Sequence, residues 1–166
     1  MLWNSNAHVA TGEEICFVDV TDRAVELVSS LSLDAGLLTA FVRHTTCGLM
    51  INEWETGALV DLRARLEVLF PRSSYYAHDD LTRRTENLTP HERRNGHAHV
   101  AQMMMGGSSQ AIPIAGGRLA LGRWQRLILV ELDGPQTRSL FFQAIGSSST
   151  QSRVRNSQNA NPAYSP

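Results

Sequence analysis

Four histidines stand where their chemistry would count. His44 closes an apolar run in "FVRHTTCGLMINEW", His78 sits beside Asp79 and Asp80, and His97 and His99 are one residue apart in "NGHAHV". Unprotonated imidazoles are good ligands for zinc and similar metals. A catalytic zinc takes three protein ligands and keeps a further position open. His44, one of His97 and His99, and either His78 or Glu53 would fill such a set. The i, i+2 spacing has two readings. On a strand it puts both rings on one face. On a helix it sets them about 200° apart, and only one can enter a site.

Carboxylates and hydroxyls extend the list. Asn52 and Glu53 end the apolar run that follows His44, and Asp61 lies in the next segment. Glu53 and Asp61 flank an expected helix, where acids also serve as dipole partners or as a solvated face. Glu131 and Asp133 alternate along "LVELDG", so both point to the same face of a strand. Acids inside an apolar strand need arginine partners or a cation, and arginine pairing is the favoured reading. Arg118, Arg123, Arg126 and Arg138 are close by in sequence. Thr45, Thr46, Ser108 and Ser109 offer hydroxyls to phosphate oxygens. Cys47 and His44 are three residues apart, on opposite faces of an extended chain, which argues against a thiol–imidazole dyad. His8 and His91 receive no role.

The composition narrows the chemistry further. The chain has no lysine. Schiff-base catalysis and a lysine-bearing phosphate loop are therefore excluded, and an anion must be held by arginine, backbone N–H groups, hydroxyls or a metal. A net charge of −1 gives no electrostatic reason for a nucleic acid or an anionic membrane as partner. No apolar run reaches the roughly 18 residues needed to cross a bilayer, and the N-terminal residues lack the regions of a signal peptide. The expected location is the cytoplasm. The two cysteines show no CxxC spacing and read as small buried residues.

These side chains must be positioned by a chain of 166 residues, 42% hydrophobic and 19% charged, which fits one globular domain. "EICFVDVT" reads as a strand, and Thr21 then caps a helix over 22–32 with Val25, Val28 and Leu31 on one side. "DAGLLTAFVRH" and "CGLMINEW" supply two strands. Leu59, Leu62, Leu66 and Leu69 mark an amphipathic helix that Pro71 ends. Residues 71–95 are polar and aperiodic, and loops of that length in compact domains are usually functional or disordered. "GHAHVAQMMMG" suggests a short helix whose methionines fill core gaps, and Gly106-Gly107 its end. Gly116-Gly117 between two apolar runs signals a hairpin. "RLILVELDG" and "RSLFFQAIG" are two more strands, and Trp124 is a packing or interface anchor. The expected architecture is α+β: a mixed, mainly antiparallel β-sheet with packed helices, spanning 1–146 and followed by a disordered Ser/Asn/Gln-rich tail at 147–166.

The motifs "HTTCGLMINE", "YYAHDD", "NGHAHV", "IPIAGGRLALGRWQ" and "ELDGP", in that order, resemble the YjbQ-type family. That family was long of unknown function and later labelled a secondary thiamine-phosphate synthase. The resemblance implies a compact α+β homotrimer whose polar motifs gather in a pocket near the subunit boundary. It implies that His44, Thr45, Asn52, Glu53, Asp61, His78 and His99 face that pocket. The implied reaction joins a hydroxymethylpyrimidine diphosphate to a thiazole phosphate with release of pyrophosphate. In that scheme Glu53, Asn52 and Asp61 act in catalysis. Thr45, Ser108, Arg118 and Arg123 bind the phosphorylated substrate, and His44, His78, His97 and His99 hold a divalent metal, Mg²⁺ or Zn²⁺. The alternative is a non-catalytic trimeric module that binds a metal or an anion. Trp54 and Cys47 depart from residue types common in relatives, which bears on substrate rather than on fold.

Overall fold

The computed structural model describes residues 1–12 and 14–148. Two antiparallel sheets and three helices make up the fold. Strands β1 (Leu2–Ala10), β3 (Ala35–Val42), β5 (Ser109–Ala115), β6 (Arg118–Leu119) and β8 (Thr137–Ser147) form one sheet in the order β1-β8-β3-β5-β6. Strands β2 (Cys16–Asp19), β4 (Cys47–Glu53) and β7 (Gln125–Glu131) form a second, with β7 in the middle. Helix α1 (Thr21–Ser30) packs at the edge of the core, while α2 (Thr56–Leu69) and α3 (Gly96–Met105) cover the outer face of the second sheet.

Strand β7 shows why the layers stack this way. Leu127 and Leu129 face the first sheet and join a core with Leu38, Val42, Leu49, Ile112, Leu140 and Phe142. Val130 and Leu132 face the helices and pack with Leu66, Ala98 and Ala101. Both faces are covered, so "LILV" is continuously apolar where a half-exposed strand would alternate.

Several local expectations are revised. A first strand precedes the expected one: β1 pairs with β8 along its whole length, from Leu2–Ile145 to Ala10–Thr137. Thr21 does not cap α1. The Asp19 carboxylate accepts the Thr21 N–H at 2.9 Å, while the Thr21 hydroxyl accepts the Leu127 N–H at 2.7 Å and so ties the helix to β7. Leu66 is the one buried leucine of the α2 stripe, and Leu69 is exposed because the helix ends beyond the sheet. Of the methionine run Met105 packs against the core, while Met103 and Met104 are 74% exposed, since α3 packs through Ala98, Ala101 and Met105. The Gly116-Gly117 hairpin is present, with φ of 55° and 73°, values that a side chain would disfavour. The expected tail lies, from residue 149 onward, outside the described residues.

The sheets are locked at one end by a buried ion pair. Glu131 of β7 is fully buried, and both of its oxygens accept from the Arg138 guanidinium of β8. The rest of its capacity is filled by the N–H groups of Leu132 and Asp133 and by the Thr11 hydroxyl. Arg138 also donates to the Thr46 hydroxyl at 3.0 Å. Burial opposes ionisation of Glu131 most strongly, yet Arg138 and the backbone N–H of Asp133 together hold its carboxyl below the usual range. Thus Arg138 is the arginine that Glu131 needed, while Arg126 pairs with Asp19 and Asp22. Removing one partner strands a buried charge at a cost of about 3–5 kcal/mol. Urea unfolding of Glu131→Ala is expected to show that loss. The double variant Glu131→Leu/Arg138→Met, which removes both charges, is expected to lose less.

Candidate functional site

The loop His44-Thr45-Thr46 is set by the same end of the sheets. Arg138 holds Thr46, and the His44 Nε2 accepts the backbone N–H of Ser139 at 2.9 Å. That bond places the His44 proton on Nδ1. Burial first, then the Arg138 charge, lowers the His44 pKa below its ordinary value, against the opposing pull of Glu131. Cys47, buried next to this pair, has its thiol pushed up to about 12 and cannot serve as a nucleophile near neutral pH.

Helix α3 settles the HxH ambiguity in favour of the helical reading, with the two rings on opposite faces. His99 points toward the 71–95 segment. Its neighbours there are in the 78–95 part, whereas His97 on the other side of α3 is buried near Glu14 and the 71–76 part of the same segment. The N-terminus of α3 is held by Asp79, whose Oδ1 accepts the N–H groups of Asn95 (3.1 Å) and Gly96 (2.9 Å). Position 96 must be glycine: a Cβ there would lie 2.5 Å from the Tyr76 Cβ. With Asp79 fixed, its neighbour His78 packs against His99, with ring centroids 4.3 Å apart and the planes tilted by 47°.

The 71–95 segment is ordered by its arginines. Arg84 donates to the His78 and Asn87 carbonyls, pairs with Glu92 at 3.0 Å, and lies 3.2 Å from the His78 Nε2. A guanidinium only donates, so that nitrogen accepts and the His78 proton sits on Nδ1. Arg93 grips the Asp133 carboxylate with Nε and Nη2, and the Asn95 amide donates to its other oxygen at 2.8 Å. The second acid of "ELDG" therefore organises the site from 38 and 40 residues away.

Together these groups enclose a cleft of about 620 Å³ whose polar lining includes Thr45, His78, His91, Arg93, Asn95 and His99. No protein hydrogen bond engages either ring nitrogen of His99 among the described residues. Burial, then the nearby His78, lowers its pKa, with Asp133 pulling the other way. His91, given no role from sequence, lies in the lining. Arg84, Glu92, Arg93 and Asn95 were also missed. Their only sequence signal was the polar, aperiodic character of the segment, since their partners are distant or local in ways no motif marks.

The remaining expected site residues lie elsewhere. Asn52 and Glu53 are exposed at the far end of β4, opposite Arg126 and Gln125 of β7, and Asp61 is exposed on α2. Ser108 is half-buried and accepts from the Gln102 amide at 3.1 Å. Arg118 and Arg123 border a separate cavity of about 470 Å³ beside α1, with Arg123 over the Trp124 ring. The four-histidine metal set divides in the same way. The His44 Nε2 is committed to a backbone N–H, the His78 Nε2 to Arg84, and His97 faces the other side of α3. Among the described residues no group of three His, Cys, Asp or Glu is arranged to hold a metal ion. Within this chain the four histidines therefore do not converge as one ligand set.

The fold and cleft define a class of small α+β proteins. The family described as "UPF0047 protein YjbQ-like" matches residues 5–147, and the chain belongs to that family. A UPF0047 protein of Archaeoglobus fulgidus is 35% identical over 135 residues, covering 81% of this chain and 95% of that protein. A Bacillus subtilis relative, the UPF0047 protein YugU, is 28% identical over 130 residues, 78% of this chain and 89% of its own length. Among solved structures, a YbjQ-like protein of unknown function from Sulfolobus solfataricus P2 superposes with a TM-score of 0.78 at 26% identity, covering 89% of this chain and 99% of that one. An uncharacterised YjbQ/UPF0047 protein from Clostridium acetobutylicum superposes at 0.73 with 31% identity, covering 85% and 99%. The expectation of a thiamine-phosphate synthase is overturned by these matches: they define a family of unknown function, and none of these proteins is described with that activity. No helix among the described residues is long and apolar enough to cross a membrane.

The lowered pKa values of His44 and His99 fix the sign of a pH effect. Each takes up its proton at a lower pH in the fold than in the unfolded chain, where imidazole titrates near 6.5. Acidification below about 6.5 therefore favours unfolding, and the stabilisation is lost as pH falls through the folded-state values. The melting temperature is expected to drop on going from pH 7 into the mildly acidic range. His99→Asn is expected to flatten that part of the profile.

Proposed function

We propose that the cleft between α3 and the 71–95 segment binds a small phosphorylated molecule, and that His99 accepts a proton within it. The observation that carries this reading is the His78–His99 pair, with His78 fixed by Arg84 and His99 left with open ring nitrogens. An imidazole kept unprotonated near neutral pH by its burial is suited to general-base work. The Thr45 hydroxyl, the His91 ring and the edge of Arg93 supply donors suited to phosphate oxygens in a chain without lysine.

The reading includes a homotrimer, as the family resemblance implies, and a location in the cytoplasm. Val68 and Leu69 on α2 and Met103 and Met104 on α3 are exposed, apolar side chains that association would cover. Both cysteines are free thiols, in keeping with a reducing compartment.

Calorimetric titration with inorganic phosphate and glycerol phosphate tests the site. Saturable binding is expected, with proton uptake that depends on His99. His99→Asn and Thr45→Val are each expected to weaken it about tenfold or more, roughly 1.4 kcal/mol. Affinities unchanged by both substitutions would remove the proposal. Light scattering of the purified protein is expected to give the mass of three chains.

A further inference from the structure

The other face of α3 holds a second cavity that the reading of the cleft does not use. It measures about 350 Å³ and is lined by Glu14, Ile15, Glu67, Phe70, Arg72 and His97, among others. His97 is 4% exposed, and neither of its ring nitrogens has a hydrogen-bond partner among the described residues. Its Nε2 comes within 3.2 Å of the Glu14 carboxylate, but the approach lacks hydrogen-bond direction. A buried polar group left without a partner is destabilising, because it has given up its bonds to water and regained none. A ring so placed, at the wall of a cavity, is matched by an occupant that bonds to it.

The lining specifies the occupant. Ile15, Phe70 and Pro71 form an apolar wall. Glu14 is already paired with Arg72 at 2.6 Å, which leaves the Glu67 carboxylate as the charge with no ion-pair partner among the described residues. The excess is therefore negative and lies next to an imidazole and an aromatic ring. An anion would meet two carboxylates, and a bare metal ion would find no set of three ligands. We propose that this cavity is a binding site for a small organic cation: a primary amine or amidine on a compact apolar frame. Its N–H groups bond His97 and the Glu14 and Glu67 carboxylates, and its frame lies against Phe70 and Pro71. The site stands apart from the His78–His99 cleft and does not depend on a phosphate ligand there.

Benzylamine is the probe, with benzoate and benzyl alcohol as controls of the same shape. In NMR titrations of the full chain, benzylamine is expected to shift the His97 ring and Phe70 ring signals saturably, and the two controls are not. Glu67→Gln, on the exposed face of α2, and His97→Phe are each expected to weaken the interaction tenfold or more. Thr45→Val, in the other cleft, is expected to leave it unchanged. Glu67→Gln keeps the test valid if His97→Phe does not fold. The proposal falls if benzylamine gives no saturable shift, if benzoate or benzyl alcohol binds as well, or if Glu67→Gln binds as the parent does. Loss of amine binding in Thr45→Val would also overturn it, by joining this cavity to the other.

Discussion

The Glu131 carboxylate is the point on which the two sheets depend. It projects from the centre strand of one sheet toward the start of β8 in the other and is fully buried. Its oxygens are engaged by a guanidinium, two backbone N–H groups and a hydroxyl. A carboxylate in such a place is tolerated only when its lone pairs are filled, and filling them fixes the positions of four chain segments at once. The segments are those around Thr11, Thr46, Asp133 and Arg138. Two of them continue directly into the cleft: Thr46 follows Thr45, and Asp133 anchors Arg93 and Asn95. The polar core is thus structural and also locates the site.

Helix α3 is the second organising element. Small residues on its inner face, Ala98 and Ala101, bring it close to the second sheet. Its first turn is held by a carboxylate from the segment before it, so one short helix carries an imidazole to each of two cavities. Asp79 does in this fold what a capping residue on the helix itself usually does. Because the cap comes from a different segment, it also fixes His78 beside His99.

The layered α+β architecture was legible because β7, β8 and β3 carry long apolar runs, and the glycine hairpin announced itself through its turn chemistry. Strand β1 was not legible. Its inward residues include Trp3, Ala7 and Val9, but Ser5 interrupts the alternation and the flanking asparagines resemble a loop. The exposure of Leu69 on α2 and that of Met103 and Met104 on α3 were misjudged for a common reason. Periodicity shows that a helix has an apolar side, but not how far the partner sheet extends beneath it. In the site, the histidines were conspicuous by type, and their grouping turned on one local fact, that residues 96–105 are helical. The arginines that hold the cleft were hidden because a pairing such as Arg93 with Asp133 exists only after α3, the β5–β6 hairpin and β7 have brought the chain back to residue 93.

Met103 and Met104 stand with their thioethers in solvent at the end of α3. Oxidants reach such sulfur atoms first, and conversion to the sulfoxide turns a soft apolar group into a polar, chiral one. Here the change would fall on the outer surface and leave the packed interior intact. Sulfoxide reductases act on sites that are equally accessible to them. In the single chain the polarity of this helix face can therefore be changed and restored by redox chemistry, without any unfolding of the domain beneath it.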